Sequence, residues 1–273
     1  MSQLPRANKA LGQHFLVDKN IIEKITSDFK DSATSIVEVG PGPGVLTESL
    51  AAHDLPIHVI DKDERFPEYL EKILPKESVH ITDALKWDLE EGFKEWGFLK
   101  DGHKIWLVSN LPYNVASPLF VKFLQAPSLS FMTLMFQREV ADKAFAIDTR
   151  KGKAMNSLMA LSQTYFEVSL LCKVAPGAFN PPPKVESAVL SFKRLSEPVI
   201  ALSNFKSYEK FLRHLFQFKR KQMGKVLKSN YTPEEIETIL SQLSIDPRVR
   251  AEALDLENIQ KLFLAFKALR EKP

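Results

Sequence analysis

Short, apolar, β-rich runs alternate with amphipathic segments through the first half of the chain, and this alternation constrains the fold more than any other feature. Five such runs occur, at 35–39, 57–60, 79–81, 105–108 and 131–136. Strands that alternate with helices build βαβ units, in which helices cover both faces of a parallel sheet. We therefore predict an α/β domain with a central parallel sheet.

The pattern changes twice beyond this region. Two further apolar runs, 168–174 and 188–192, flank the loop 175–184 and are close enough to pair as antiparallel strands. After them, apolar residues recur every three or four positions without a strand-like run, which is typical of helices. We predict a catalytic α/β domain over residues 1–197 and a small all-α domain over residues 198–273.

Positive charge is concentrated in the predicted helical domain. The formal net charge of the whole chain is +3. Between residues 206 and 228, eight Lys or Arg side chains accompany one acid, Glu209, so this segment carries +7 and the rest of the chain −4. Such a block fits a polyanion, either nucleic acid or an anionic membrane surface, although a charge run can also be a solvated helix face.

The amino-terminal residues 1–16 are partly basic but lack the apolar core and cleavage site of a secretory signal. No apolar run is long enough to span a bilayer. We therefore expect a cytoplasmic protein without a membrane partner. The single cysteine, Cys172, lies in an apolar run and can form no intramolecular disulfide. We predict no catalytic role for it and no metal site.

A glycine-rich turn follows the first of the five runs. Gly40, Gly42 and Gly44 alternate directly after the predicted strand, and residues 45–52 form the next predicted helix. Glycine lets the backbone approach a ligand closely, and the helix amino terminus behind it presents unpaired N–H groups. Taken alone, the turn fits a nucleotide-type ligand or a simple strand–helix connection equally well.

Acids end the next two runs. Asp61 lies about 20 residues beyond the glycines and can accept hydrogen bonds from both ribose hydroxyls of a nucleoside cofactor. Asp83 follows the third run and can accept a hydrogen bond from the amino group of an adenine ring. Either acid alone can also be a turn residue or helix cap. Together with the Gly-x-Gly-x-Gly spacing and the preceding Glu38, they favour an S-adenosylmethionine site over a nicotinamide site.

The fourth run is followed by the tetrapeptide Asn110-Leu111-Pro112-Tyr113. The exocyclic amine of adenine is a poor nucleophile because its lone pair is delocalised into the ring. The side-chain oxygen of Asn110 and the carbonyl of Leu111, held by Pro112, can each accept an N–H and draw the lone pair out of conjugation. Tyr113 can stack on the base and hold it in line. Elsewhere the same residues would form an ordinary proline turn, but after this strand they predict methylation of an adenine amine.

A second aromatic residue fits the same chemistry. Phe179 lies in the loop 175–184 with prolines on both sides, which limit the freedom of the backbone. An enzyme that acts on a base must take it out of its stack, and a rigid loop can offer a ring to sandwich it. A phenylalanine is more often a core residue, and the loop alone does not decide between these roles.

Together these segments resemble the small-subunit ribosomal RNA adenine dimethyltransferases, the KsgA family. The likeness covers nearly the whole chain. It rests on residues 10–16, the glycine turn, residues 110–113, 137–141 and 179–189. The opening Leu-Gly-Gln-His-Phe-Leu and the proline-rich segment after Phe179 are highly specific in combination.

The resemblance implies a Rossmann-like S-adenosylmethionine-dependent methyltransferase domain with a small all-α carboxyl-terminal domain. It implies a monomer that dimethylates two adjacent adenosines in a hairpin near the 3′ end of small-subunit ribosomal RNA, on the assembling small ribosomal subunit. The implied cofactor contacts are Gln13, His14, Leu16, Gly40, Gly42, Asp61, Asp83, Ala84 and Asn110. The implied catalytic residues are Asn110, Leu111, Pro112, Tyr113 and Phe179. The expected RNA-binding residues are Lys184, Arg213, Lys219, Arg220 and Lys221.

One position and two segments depart from the family pattern. Asp61 stands where glutamate is usual, and residues 153–158 replace a Tyr-Gly-Arg-Leu segment. Residues 219–221 are Lys-Arg-Lys where two arginines and a lysine are common, which preserves the charge but loses one planar, bidentate phosphate fork.

Three other functions fit parts of the sequence. A macrolide-resistance methyltransferase would use the same chemistry on large-subunit RNA, but residues 211–227 and 184–189 look less like that family. A ribosome-assembly or transcription factor could keep the fold as a binding module, although the intact Asn110, Pro112 and Tyr113 argue against lost catalysis. A DNA adenine methyltransferase would act on duplex DNA.

Overall fold

The structure, a computed structural model, describes residues 5, 7–8, 13–145, 154–218 and 220–270. Predicted residues Lys219 and Lys153 lie outside this part of the chain, as do Leu11 and Gly12 of the opening motif. The strands are β1 (Phe15–Leu16), β2 (Ser35–Val39), β3 (Ile57–Asp61), β4 (Val79–Ile81), β5 (Ile105–Asn110), β6 (Leu129–Gln137), β7 (Phe166–Val174), β8 (Phe179–Asn180) and β9 (Ser187–Arg194).

Seven of these strands form one mixed sheet in the order β4-β3-β2-β5-β6-β9-β7. The strands from β4 to β6 run parallel, as the alternation of strands and helices predicts. β9 pairs antiparallel with β6, in a register that places Ser187 opposite Gln137 and Lys193 opposite Phe131. β7 and β9 are neighbours at the edge, so the predicted pairing of these two runs is confirmed.

Burial explains why the sequences of the central strands are continuous apolar runs. All five residues of β2 are buried, because β3 and β5 flank it and helices cover the sheet. On β5, Trp106 is fully buried and its indole N–H donates to the Thr133 hydroxyl on β6 at 2.9 Å. That bond satisfies the one polar atom of a large apolar side chain.

The helices connect these strands and then form the carboxyl-terminal part of the chain. They are α1 (Lys19–Ser27), α2 (Val45–Ala51), α3 (Pro67–Leu70), α4 (Leu89–Glu95), α5 (Ala116–Gln125), α6 (Arg138–Phe145), α7 (Ser157–Tyr165), α8 (Phe205–Phe216), α9 (Met223–Leu227), α10 (Pro233–Gln242) and α11 (Leu256–Arg270). No helix in the described ranges is both long and apolar enough to cross a bilayer.

Two strands of two residues each form a small separate sheet that the sequence does not predict. β1 pairs antiparallel with β8, so that Leu16 lies opposite Phe179. The Val17 N–H extends this pairing with a 2.8 Å bond to the Ala178 carbonyl. The loop 175–184 therefore holds the amino-terminal segment in place.

Contacts divide the chain into two compact units. The first comprises residues 1–141 and 167–194, and the second comprises residues 142–166 and 195–273. The break after residue 194 lies close to the predicted boundary, but residues 142–166 group with the helical unit although the sequence pattern places them in the first domain. The assignment of catalysis to residues 1–197 and RNA binding to residues 198–273 stays a prediction.

The second unit has its own core, built where α7, α8 and α11 meet. The Thr164 hydroxyl on α7 donates to the carbonyl of Ala160 one turn earlier, at 2.8 Å. It also lies 3.2 Å from the Tyr208 hydroxyl on α8 and accepts a 3.0 Å bond from the Gln260 amide on α11. Burial raises the pKa of Tyr208 to about 12, so this buried network stays uncharged.

Candidate functional site

A cavity opens in the first unit at the carboxyl ends of β2, β3, β4 and β5. Strands of a parallel sheet end at the same edge, and ligands of open α/β sheets bind outside this edge. The cavity is lined by every predicted cofactor contact and by most of the predicted catalytic residues. These are Gln13, His14, Leu16, Gly40, Gly42, Asp61, Asp83, Ala84, Asn110, Leu111, Pro112 and Tyr113.

The glycine turn between β2 and α2 has a backbone that other residues rarely adopt. Gly44 has a φ of +91°, and a Cβ at this position would lie 2.6 Å from the Cδ1 atom of Ile73. Gly40 and Gly42 also have positive φ angles and line the cavity directly. The turn thus leaves bare main chain facing the cavity, as a nucleoside ligand requires.

Glu38 lies beneath this turn and is 1% exposed. Its carboxylate accepts a 2.6 Å hydrogen bond from the Thr47 hydroxyl on α2. Burial raises the pKa of Glu38 to about 8, and the nearby Asp61 contributes in the same direction. At neutral pH this carboxyl therefore keeps its proton, and the negative charge at the sheet edge belongs mainly to the aspartates.

Asp61, the last residue of β3, holds the glycine turn against β3. Its Oδ2 atom accepts the Gly42 N–H at 2.9 Å and its Oδ1 atom accepts the Asp63 N–H at 2.8 Å. Burial raises the pKa of Asp61, although these bonds oppose the shift. Each carboxylate oxygen keeps a second lone pair. Asp61 can therefore shape the turn and still accept ribose hydroxyls.

Asp83, after β4, is already paired. Its carboxylate lies 3.0 Å from the ammonium of Lys62 and also accepts the Leu85 N–H at 3.0 Å. The ion pair with Lys62 lowers the pKa of Asp83, so this group is charged at neutral pH. An adenine amine that binds Asp83 must share the carboxylate with a lysine side chain that is 64% exposed.

The amino-terminal segment is fastened over the cavity by residues that the sequence does not single out. The Gln13 amide donates to the Asp63 carboxylate at 2.8 Å, and its oxygen accepts from Arg65 at 3.0 Å. Arg65 also contacts both oxygens of Asp63. These bonds hold the pKa of Asp63 at about 2. Only a packed structure brings together positions 50 residues apart.

Asn110 is oriented by the same segment. Its side-chain N–H₂ donates to the His14 carbonyl at 3.2 Å. A carbonyl can only accept a hydrogen bond, so the amide nitrogen must face His14 and the amide oxygen points away from it. The structure shows no protein partner for that oxygen within the described residues, which leaves an acceptor available at the cavity.

Tyr113 is held from two sides. Its hydroxyl lies 2.8 Å from the Ser187 hydroxyl at the start of β9, and its ring stacks on His14 with centroids 5.9 Å apart. The His14 Nδ1 atom donates to the Pro181 carbonyl at 2.8 Å. Ser187 is fully buried and, like Asp63 and Arg65, was missed by sequence reasoning, although it lies within the proline-rich motif.

Lys122, on α5, links the two halves of the cavity rim. Its ammonium donates to the Leu85 carbonyl at 2.9 Å and also to the Trp87 carbonyl. These carbonyls follow Asp83, whereas α5 follows the Asn110 turn. Burial lowers the pKa of Lys122.

Phe179 is the predicted catalytic residue that the structure does not bring to the cavity. Its side chain is 3% exposed and belongs to the apolar cluster that contains Phe15 and Leu16. The pairing of β8 with β1 fixes this inward orientation. The predicted role of Phe179 as a face for the base stays a prediction.

The predicted RNA-binding residues are exposed where the structure describes them. Lys184 lies in the first unit, and Arg213, Arg220 and Lys221 lie in the second. Arg213 forms an ion pair with Glu209 one turn earlier on α8. Their charges are therefore available at the surface, apart from the partly neutralised Arg213.

Comparison with solved structures identifies the fold. A dimethyladenosine transferase from Plasmodium falciparum superposes with a TM-score of 0.74 at 24% identity, over 93% of this chain and 98% of that one. The 23S rRNA methyltransferase ErmE superposes with a TM-score of 0.66 at 23% identity, over 93% and 99%. The chain therefore has the Rossmann-like fold of these two methyltransferases.

Sequence comparison then gives the family. The model of the family described as "Ribosomal RNA adenine dimethylase" matches residues 5–268, and the chain belongs to this family. Proteins named ribosomal RNA small subunit methyltransferase A are similar along almost their whole length. The protein from Sulfurihydrogenibium sp. is 36% identical over 94% of this chain and 95% of its own. The protein from Geobacter metallireducens is 34% identical over 98% of each chain. The resemblance inferred from the motifs is confirmed.

Proposed function

We propose that this protein transfers methyl groups from S-adenosylmethionine to the exocyclic amines of two adjacent adenosines in a hairpin near the 3′ end of small-subunit ribosomal RNA. The observation that carries the proposal is the Asn110 amide, which His14 orients so that its oxygen remains available at the cavity beside the glycine turn. The names of the relatives support the choice of small-subunit RNA.

The residues present fit the cofactor. Asp61 offers acceptors for the ribose, Asp83 for the adenine amine, and the Gly40–Gly42 backbone allows close approach. Gln13, His14, Leu16 and Ala84 complete the wall of this part of the cavity. When bound, S-adenosylmethionine supplies an electrophilic methyl group on a positively charged sulfur.

The catalytic turn then acts by position and by hydrogen bonding. Asn110 Oδ1 and the Leu111 carbonyl, whose backbone direction Pro112 restricts, accept the two N–H groups of the target amine and favour its pyramidal, nucleophilic form. Tyr113 stacks on the base, and the Ser187 and His14 contacts hold its ring in place. None of these steps requires a general base.

RNA binding is assigned to five basic side chains. Lys184, Arg213, Lys219, Arg220 and Lys221 would contact phosphates without reading sequence, which positions the hairpin but does not select it. We further propose that the substrate is the assembling small subunit, late in its maturation, and that the protein acts as a monomer in the cytoplasm. We also assign Phe179 as a second face for the base, a role that requires exposure of its buried ring.

Transfer of labelled methyl groups tests the proposal directly. The acceptors are undermethylated small subunits, intact large subunits and duplex DNA, and we expect incorporation only into the adenosines of small-subunit RNA. Preferential labelling of large-subunit RNA would replace the proposal by the macrolide-resistance type of activity, and labelling of DNA would replace it by a DNA methyltransferase.

Substitution Asn110→Ala tests the catalytic assignment. Loss of one placed acceptor should lower the rate of methyl transfer by a factor of about 100 to 1,000, because comparable groups in other enzymes contribute this much. RNA binding should be unchanged. Asn20→Ala, at an exposed asparagine on α1, is the matched control and should retain wild-type activity. A wild-type rate in the Asn110 variant would remove this residue from the mechanism.

A further inference from the structure

The turn that follows α8 presents an aromatic side chain to solvent. Phe218 is 44% exposed, and it is the one aromatic residue among the strongly exposed large hydrophobic side chains of the described part of the chain. The ammonium of Lys221 lies 3.9 Å from the centroid of its ring. A single exposed hydrophobic residue needs no explanation by itself, but this one lies inside the most basic segment of the chain.

The turn is held at both ends. On the α8 side, the Gln217 amide donates to His214 Nδ1 at 2.8 Å, and His214 Nε2 donates to the Val226 carbonyl on α9 at 3.1 Å. On the α9 side, the Met223 N–H donates to the Val249 carbonyl at 2.8 Å.

Gly224 adds a close packing contact to this anchor. Its N–H donates to the Pro247 carbonyl at 3.0 Å, and a Cβ at Gly224 would lie only 3.1 Å from Pro247. These bonds anchor Gln217, directly before Phe218, and Met223 and Gly224, which begin α9. Anchored residues lose less conformational entropy when the surface beside them binds a ligand.

The charged residues between Phe218 and Lys228 along the chain are all basic. Arg220 and Lys221 are exposed, and so are Lys225 and Lys228 on and after α9. The acid of the wider segment 206–228, Glu209, is engaged with Arg213. Cations next to an exposed ring are the combination by which proteins bind unpaired nucleotides, since cations contact the phosphates and the ring stacks on a base.

We propose that Phe218, Lys221 and Arg220 form a stacking site for an unpaired base of RNA. Lys221 covers one face of the ring, so the base stacks on the other face while Arg220 and Lys221 contact the adjoining phosphates. The inference rests on the proposed function, because that function makes RNA the ligand, and it assigns this RNA a contact in the second unit. It goes further because it predicts a preference for single-stranded or looped RNA over duplex RNA at this surface.

Binding of two RNA probes to the full-length protein tests the site. The probes are an unstructured oligoadenylate of twelve nucleotides and a perfect RNA duplex with the same number of phosphates. Phe218→Ala should weaken binding of the single strand about tenfold, since the loss of one base–aromatic stack lowers affinity by a factor of about 5 to 150. Binding of the duplex should change less than twofold, and the dependence of affinity on salt should stay the same because no charge is removed.

Three variants separate stacking from other effects. Phe218→Trp keeps an aromatic face and should retain affinity for the single strand, whereas Phe218→Leu keeps apolar area without a ring and should not. Leu264→Ala removes another exposed apolar side chain of the second unit, which is 39% exposed, and should have no effect on either probe. Because these side chains are exposed, the variants should unfold at the wild-type temperature.

The result that overturns the site is wild-type affinity of Phe218→Ala for the single strand. If the same variant then binds intact small subunits more weakly, the surface contacts a ribosomal protein and the RNA assignment is wrong. Failure of the proposed function is a different outcome. In that case wild-type protein would methylate no small subunits, while the effect of Phe218→Ala on single-stranded RNA could still be present.

Discussion

Single residues around the cavity are oriented by partly buried hydrogen bonds that have no direct role in the proposed chemistry. The Ser187 hydroxyl contacts Tyr113, and the His14 carbonyl orients Asn110. Such bonds contribute only modestly to stability, but they select one orientation of a side chain among several. Small displacements of a positioned group lower catalytic rates strongly.

Ser187 is expected to act through Tyr113. Ser187→Ala should lower kcat/KM for RNA about tenfold, because a catalytic ring that loses its anchor samples unproductive orientations. Tyr113→Phe removes the other half of the same hydrogen bond. In that background Ser187→Ala should have little further effect, and steady-state kinetics of the two single variants and the double variant measure this coupling.

The coupling distinguishes positioning from packing. A loss caused only by poorer packing of β9 would add to the loss in Tyr113→Phe, which would contradict the assignment. Ser169→Ala, at an exposed serine of the edge strand β7, is the control and should have wild-type kinetics.

Glu38 makes stability depend on pH. Its folded pKa of about 8 lies above its ordinary value of 4.5, so between these values the folded protein retains a proton that the unfolded chain releases. The free energy of unfolding should therefore fall as the pH rises from about 5 to 8, by at most about 1.4 kcal/mol for each pH unit from this group. Below pH 4.5 the carboxyl is protonated in both states, and its contribution to stability is fully present.

Glu38→Gln should remove this part of the pH dependence. The amide is uncharged and its oxygen can still accept from Thr47, so the variant should be more stable than wild type at pH 8 and similar to it at pH 4.5. Urea denaturation at pH 4.5, 6.5 and 8 checks this expectation, with Glu48→Gln on the exposed side of α2 as control. Parallel stability curves for wild type and Glu38→Gln would show that Glu38 is charged in the folded protein.

At the scale of secondary-structure elements, the cavity depends on pairings between distant segments. β1 is only two residues long, yet β8, Asp63 and Arg65 all hold the segment that contains it. Isolated strands of this length are not stable. The amino-terminal wall of the cavity therefore exists only because other elements bind it.

Arg65→Met should loosen this wall. The guanidinium is partly exposed, so the lost interaction is modest, and we expect the dissociation constant for S-adenosylmethionine to rise about fivefold. Isothermal titration with S-adenosylmethionine measures the change, and RNA affinity should not respond. Arg248→Met breaks a similar pair with Asp246 in the other unit and serves as control. Unchanged cofactor affinity in Arg65→Met would show that the segment is held without it.

At the scale of the whole molecule, charge is divided unevenly along the chain. The segment 206–228 carries +7 while the rest of the chain carries −4. Long-range attraction of a polyanion by such a distribution depends strongly on ionic strength. The affinity of this protein for RNA should therefore fall steeply as salt increases.

Charge reversal of residues 219–221 to glutamate tests the contribution of the basic segment. If each of the three side chains neutralises one phosphate, the slope of log affinity against log salt should decrease by about three. Filter binding of small-subunit RNA between low and moderate salt measures the slope. Reversal of Lys72, Lys76 and Lys100, three exposed lysines of the first unit, should alter it less. Equal slopes for wild type and the 219–221 variant would contradict the assignment.

Much of the first unit could be predicted from local patterns. The five parallel strands follow from apolar runs and the amphipathic segments between them, because buried parallel strands need apolar side chains on both faces. The shared location of Asp61, Asp83 and Asn110 could also be predicted, because the carboxyl ends of neighbouring parallel strands lie at the same edge of the sheet. The glycine turn was recognisable because glycine adopts positive φ angles far more readily than other residues do.

Other features were decided only by tertiary structure. The contacts Gln13–Asp63 and Tyr113–Ser187 join positions 50 and 74 residues apart, and no local pattern marks either pair. Residues 142–166 group with the helical unit, and Phe179 is buried by the pairing of β8 with β1. Periodicity and turn chemistry are properties of neighbouring residues, whereas these contacts depend on which surfaces meet when the chain packs. The sequence alone therefore determined the parallel sheet and the edge at which the candidate site lies, and the packed chain decided which side chains hold that edge in place.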